Sequence, residues 1–200
     1  MDKGDLMIRM RLAGLAVALL LAATPASAQE ASRLDRILQN GALRVGTTGD
    51  YKPFTYRDPA TGEWSGFNVD QAKALGQALG VRVEFVPTAW PSLMKDFEAD
   101  RFDIAMGGVS VTLDRSKKGY FSVPYLRDGK TPITRCENAS KFQTLQDIDR
   151  PGVKAVVNPG GTNERFARGN LKDAEIVVFP DNTRIFEEIA AGKADLMMTD

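Results

Sequence analysis

The sequence predicts an α/β fold in two lobes. Segments with helical and strand periodicity alternate along the chain, which argues for parallel sheets joined by crossover helices. The alternation lapses over residues 125–135 and then restarts, so that stretch reads as a connection between lobe 1 (29–124) and lobe 2 (136–200). With 43% hydrophobic and 26% charged residues, the 200-residue chain has the apolar mass for a core, and it contains no low-complexity segment or internal repeat.

The first 28 residues read as a secretory signal. Lys3, Arg9 and Arg11 precede an apolar run over 12–23, and Ala26-Ser27-Ala28 offers a small-residue cleavage site. The run is shorter than the roughly 20 residues a membrane span requires, so export to a periplasm is expected, with a mature chain starting at Gln29. Residues 32–39 then form a helix stopped by Asn40-Gly41, and 42–46 the first strand. Val69, Ala72, Leu75 and Leu79 recur at helical spacing with Gly80 as cap, followed by strand 81–87, helix 91–98 and strand 102–106. After the connection come strand 153–157, helix 163–168, strand 175–179, helix 182–191 and strand 195–198. A parallel strand is normally covered on both faces, yet only Thr199-Asp200 follows the last one, so the sequence is expected to be part of a longer protein.

Composition excludes several chemistries. Lys+Arg and Asp+Glu balance at 26 each, leaving no basic field for a nucleic acid. The absence of histidine removes Ser-His-Asp and Cys-His nucleophiles, HExxH metal sites and imidazole proton shuttles. Cys136 is the lone cysteine, so the chain has neither an internal disulfide nor a thiolate metal cluster. Acid–base work falls to Asp, Glu, Lys or Tyr.

Three loops after strands have the make-up of a ligand site. Gly46-Thr47-Thr48-Gly49-Asp50-Tyr51-Lys52-Pro53-Phe54 presents an aromatic, a cation and an apolar ring; a plain solvent loop is the alternative. Gly107-Gly108-Val109-Ser110-Val111-Thr112 with Arg115 suits a carboxylate, since a guanidinium binds both oxygens; the alternative is a helix capped by Thr112 with a solvated Arg115. Asn158-Pro159-Gly160-Gly161-Thr162-Asn163 opens a helix, where backbone amides favour an anion; an ordinary turn is the alternative. Neither a Walker loop nor a Rossmann fingerprint is present.

The ordered set Gly46-Thr47, Tyr51-Lys52-Pro53-Phe54, Gly66-Phe67-Asn68-Val69-Asp70, Phe102-Asp103-Ile104, Ser110-Val111-Thr112 with Arg115, Phe121-Ser122-Val123-Pro124-Tyr125 and Gly192-Lys193-Ala194-Asp195 resembles the type II periplasmic solute-binding proteins for polar amino acids. Within that superfamily, Thr48 to Phe54, Pro87-Thr88-Ala89-Trp90-Pro91, Arg127-Asp128-Gly129-Lys130-Thr131-Pro132-Ile133 and Asn158 to Asn163 more closely resemble the periplasmic cyclohexadienyl dehydratases. The resemblance implies a two-lobed type II periplasmic-binding-protein fold, cut short at its C-terminus. It places Tyr51 and Trp90 against the ligand, sets Arg115, Gly108, Ser110, Gly161, Thr162 and Asn163 around a carboxylate, and aligns Asp200 with the acid that meets a ligand ammonium. A glutamate shortly after Asp200 is the general acid it implies.

Two functions follow. The first is a lyase that removes water and carbon dioxide from prephenate or arogenate, needing no metal or cofactor. Prephenate carries two carboxylates, so a second cation is wanted beside Arg115, and Lys52 is the candidate, assisting catalysis. The second is a non-catalytic receptor that delivers an amino acid to an ABC permease, a partner only under that alternative.

Overall fold

A computed structural model describes residues 32–200, and the expected signal segment lies outside the described residues. Residues 33–200 pack as one unit around two sheets. The chain enters through α1 (Arg33–Asn40), whose buried Ile37 faces the first sheet, and turns at Gly41 with φ +62°. β1 (Ala42–Thr47) then lies between β5 (Arg82–Pro87) and β6 (Ile104–Ala105), all parallel. As the central strand it buries Leu43 and Val45 on one face at 2% and 0% exposure, while Arg44 on the other pairs with Asp103. α2 (Phe67–Leu79) crosses over this sheet through Val69 and Ala72 and ends on left-handed Gly80, the predicted cap.

A small antiparallel sheet of β2 (Asp50–Tyr51), β3 (Thr55–Arg57) and β4 (Trp64–Ser65) interrupts the first half. These strands, of two or three residues, are too short to carry a sequence period, so the segment reads as loop in sequence. α3 (Leu93–Glu98) and the single-turn α4 (Leu113–Ser116) complete this half; Thr112 caps α4 by accepting from the Arg115 amide, as the capped-helix alternative had it.

The second sheet has the order β7 (Thr131–Thr134), β10 (Leu196–Thr199), β8 (Lys154–Val157), β9 (Glu175–Val178). β7 corrects the expectation of an irregular connection through residue 135. Residues 131–134 pair antiparallel with β10 at the sheet edge, where Pro132 costs little ladder bonding. Cys136–Lys141 forms a 3-10 turn and α5 (Leu145–Ile148) follows with a Thr144/Asp147 capping box. α6 (Thr162–Asn170) and α7 (Ile185–Ala190) follow β8 and β9.

The uncovered last strand is also corrected. Ala155, Val157, Leu196 and Met198 meet Ala167 and Leu171 of the α6 region on one face, while Val156 and Met197 meet Ile185 and Ile189 of α7 on the other. β10 is buried throughout, from Leu196 at 0% to Thr199 at 4% exposure. Each large apolar side chain so placed contributes about 1.5–3 kcal/mol. The strand was judged bare because the helices that cover it precede it in sequence. Among the described residues, no helix is long and apolar enough to cross a membrane.

Candidate functional site

Parallel strands deliver their following loops to one end of a sheet, and that end is where open α/β sheets bind ligands. The loops after β1, β5, β6 and β8, together with Asp200 after β10, converge on a cleft. Its larger cavity, about 530 Å³, is lined by Tyr51, Phe54, Gly108, Ser110, Tyr125 and Asp200 among others. A recess of about 20 Å³ shares Tyr51, Gly108, Ser110 and Asp200 and adds Trp90, Asn158, Gly161, Thr162, Asn163 and Asn182. The first volume suits a small metabolite. Among the described residues, no cluster of three or more metal-ligating side chains occurs.

Most of the sequence-predicted residues therefore come together. Tyr51 packs against Phe54 with centroids 5.1 Å apart and meets Trp90 edge-on at 5.9 Å, forming an aromatic wall. Burial, with the negative charge of Asp200 behind it, pushes the Tyr51 phenol up to about 12, so it is a neutral hydroxyl at physiological pH. Ser110 reaches toward the second sheet, its Oγ 3.5 Å from Thr162 Oγ1. Gly161 caps α6 and is buried with Asn163, whose side-chain amide donates to Asn158 Oδ1 and Thr199 Oγ1.

Gly108 has a different part from the one expected. Its amide is not offered to a ligand, because it donates to Asn68 Oδ1 at 2.9 Å, within a network in which Asn68 also bonds Gln71 and Tyr125. What the position requires is the absence of a side chain: at φ +65° an added Cβ would lie 2.8 Å from the Tyr51 ring and 3.1 Å from Phe54. Gly108 thus lets the aromatic wall close over the loop.

Arg115 is buried at 4% exposure, which removes the solvated reading, yet it lines neither cavity. It stands behind Ser110, donating from Nη1 to the Ser110 carbonyl at 2.9 Å, and forms no ion pair among the described residues. Burial lowers its pKa, and Arg165 acts in the same direction while Asp200 opposes both. A guanidinium so placed holds the Ser110 loop and has unused charge.

Lys52 is where the sequence reading fails. The β2–β3 hairpin turns it outward: its ammonium sits over the Tyr56 ring, 3.9 Å from the centroid, the residue is exposed, and it lines neither cavity. Lys130 also lines neither cavity, but it bonds Asp200, Asn163 and Thr162, which do, while Arg127 is the cation among the residues that line the larger cavity. The Lys130 Nζ donates to Asp200 Oδ1 at 2.6 Å, Asn163 Oδ1 at 2.5 Å and Thr162 Oγ1 at 2.9 Å, and its side chain is 13% exposed. Lys130 stood in one of the stretches that carried the resemblance without being singled out. The available signal was its place one residue before a strand. The antiparallel register pairs Thr131 with Thr199, and one step further sets Lys130 opposite Asp200. Asn68 and Asn158 also stood in quoted stretches without a role of their own, and Asn182 had no sequence signal, since a lone asparagine leaves no mark in a pattern.

The chain is similar over most of its length to known proteins. The model of the bacterial extracellular solute-binding proteins, family 3, matches residues 43–200. A cyclohexadienyl dehydratase from Pseudomonas aeruginosa is 62% identical over 186 residues, which are 93% of this chain and 69% of the relative. The L-cystine-binding protein TcyJ of Escherichia coli is 28% identical over the same shares of the two chains. Among solved structures, the ancestral amino acid-binding protein AncCDT-1, a precursor of cyclohexadienyl dehydratase, superposes with a TM-score of 0.79 at 44% identity, covering 84% of this chain and 74% of its own. The arginine-bound form of a truncated ArgBP from T. maritima gives 0.74 at 29% identity, over 83% and 76%. With its parallel sheets, its cleft at their carboxyl ends and this match over residues 43–200, the chain belongs to the bacterial extracellular solute-binding proteins, family 3.

Proposed function

We propose that the protein is a cyclohexadienyl dehydratase, exported to the periplasm by its N-terminal segment, that converts prephenate to phenylpyruvate or arogenate to phenylalanine. The 62% identity to the Pseudomonas aeruginosa dehydratase supports the reaction class. The observation in the site that carries the reading is Lys130. Its ammonium already occupies Asp200, the carboxylate that an amino-acid receptor would keep for the ligand's own ammonium. With Lys130 paired to Asp200, Arg127 lining the larger cavity and Arg115 without an ion pair behind Ser110, the cations around the cleft suit a ligand with two carboxylates.

The chemistry asks little of the protein beyond placement. As the ring carboxylate leaves as carbon dioxide, the electron pair of its C–C bond enters the ring. The C–O bond to the ring hydroxyl breaks at the far side, and that oxygen takes the proton of a general acid, the glutamate that the resemblance sets shortly after Asp200, and departs as water. In this reading Lys130 exchanges one of its three present partners for a substrate carboxylate and Arg115 turns from the Ser110 carbonyl to hold the other, while Tyr51, Phe54 and Trp90 enclose the ring as it becomes aromatic. A flat, apolar enclosure favours the product-like transition state, where the charge of the lost carboxylate has gone.

The test is direct. The full-length protein is purified and incubated with prephenate, phenylpyruvate is followed by its absorbance, and amino-acid binding is measured by calorimetry. Catalytic release of phenylpyruvate with weak or absent amino-acid binding is expected. Tight amino-acid binding without turnover would assign the protein to the receptors instead.

A further inference from the structure

Asp50 opens β2 but lines neither cavity. Its carboxylate Oδ1 accepts the indole N–H of Trp90 at 3.0 Å, and its backbone carbonyl accepts the Asn182 side-chain amide at 2.9 Å. Three loops therefore meet on one residue: those after β1, β5 and β9. Trp90 and Asn182 both line the recess of the cleft. Close by, Gly160 at φ +74° approaches Pro91 so tightly that an added Cβ would lie 2.5 Å from the Pro91 Cα, so the loop after β8 is also held against the segment that carries Trp90.

This carboxylate is expensive where it stands. It forms no ion pair among the described residues, burial raises its pKa, and Asp181 adds a like charge. A half-buried carboxylate without a counter-charge is a cost to stability, so its hydrogen bonds to the neighbouring loops are what it offers in return. The group it serves is the Trp90 ring, whose N–H it accepts while Tyr51 packs against the ring edge-on.

We infer that Asp50 is a positioning residue for the ligand: it fixes the Trp90 ring as a wall of the cleft and ties that wall, through Asn182, to the loop after β9. The effect on turnover rests on the dehydratase reading; the effect on Trp90 does not.

The experiment uses Trp64→Phe as background, which leaves Trp90 as the single tryptophan of the two in the sequence. Acrylamide quenching of Trp90 is measured without substrate, and kcat and KM with prephenate. In Asp50→Ala, quenching is expected to rise severalfold and kcat/KM to fall about tenfold, chiefly through KM, as befits the loss of one hydrogen bond to a charged acceptor. Asp50→Asn keeps an oxygen acceptor for the indole and is expected to restore both within about twofold. Trp90→Phe, which removes the N–H and keeps a ring, is expected to lower kcat/KM by itself and to make Asp50→Ala silent when the two are combined. Unchanged quenching in Asp50→Ala, or an Asp50→Asn variant as readily quenched as Asp50→Ala, overturns the inference. Should Asp50→Ala not fold, the Asp50→Asn quenching and the Trp90→Phe kinetics decide it in the same sense. A protein that turns over no prephenate refutes the dehydratase reading while the quenching series still judges the role of Asp50.

Discussion

Replacing Lys130 with methionine tests the centre of the functional reading. The ammonium is 13% exposed and makes three hydrogen bonds, to Asp200, Asn163 and Thr162. Methionine fills nearly the same volume, so the change removes charge and donors with little loss of packing. Asp200 is then left as an unpaired carboxylate, although its side chain keeps 26% exposure and water relieves part of the cost. Hydrogen bonds to charged groups contribute about 1.5–3 kcal/mol, and this exposure favours the lower end for stability. The expected loss of about 1–2 kcal/mol lowers the melting temperature by several degrees, at about 2–4 °C per kcal/mol for a chain of this size. For turnover the substrate carboxylate loses its partner and meets Asp200 instead, so kcat/KM should fall about a hundredfold or more. Melting is followed by circular dichroism, and phenylpyruvate release by absorbance. The double variant Lys130→Met/Asp200→Asn removes the stranded charge; it should recover melting temperature but not activity. A Lys130→Met enzyme within threefold of wild-type kcat/KM, with an intact fold, would refute the role given to this lysine.

Other outcomes follow from the same geometry. Lys52→Met should leave kcat/KM within about twofold, because the side chain is exposed on Tyr56; steady-state kinetics check this. Gly108→Ala forces a side chain at φ +65° into the Tyr51 ring, and should cost about 1–2 kcal/mol of stability and raise KM, as melting and kinetics would show. Leu196→Ala, at 0% exposure in β10, should cost about 2–5 kcal/mol in denaturant unfolding. Asp103 gives a pH dependence: burial alone would raise its carboxyl, but hydrogen bonds and charge from Arg44, with Arg33, hold it below the ordinary 3.8. The stabilisation from this depressed group is present above 3.8 and lost as pH falls through the lower folded value, so acid titration of unfolding should show a step that Asp103→Asn removes.

Much of the framework was legible because its periods are local. The 3.6-residue spacing of Val69, Ala72, Leu75 and Leu79 gave α2, and the apolar β1 gave a central strand. The loops were found for a similar reason: glycines and turn residues after strands mark where parallel sheets present ligands. Direction was not legible. Which way the cation after Tyr51 and the one before Thr131 are turned depends on strand pairing, in the first case with β3 and in the second with β10, where partners such as Thr134–Leu196 and Thr131–Thr199 are 62 to 68 residues apart. Local sequence favoured Lys52, since it lies among cleft residues, and the hairpin turned it out. β7 escaped notice because an edge strand containing Pro132 lacks the apolar run of a parallel core strand.

The pairing of β7 with β10 makes the distance between a lysine and an aspartate a matter of counting. Substitutions within residues 131–134 leave Lys130 opposite Asp200, so the edge strand is free to vary in composition, even at Pro132. A single deletion or insertion there would turn every side chain of the strand to the other face and carry the ammonium away from the carboxylate. The charge arrangement of the cleft is thus tolerant of spelling changes and intolerant of frame changes. A lineage altering ligand preference through this segment would be confined to point replacements at fixed length.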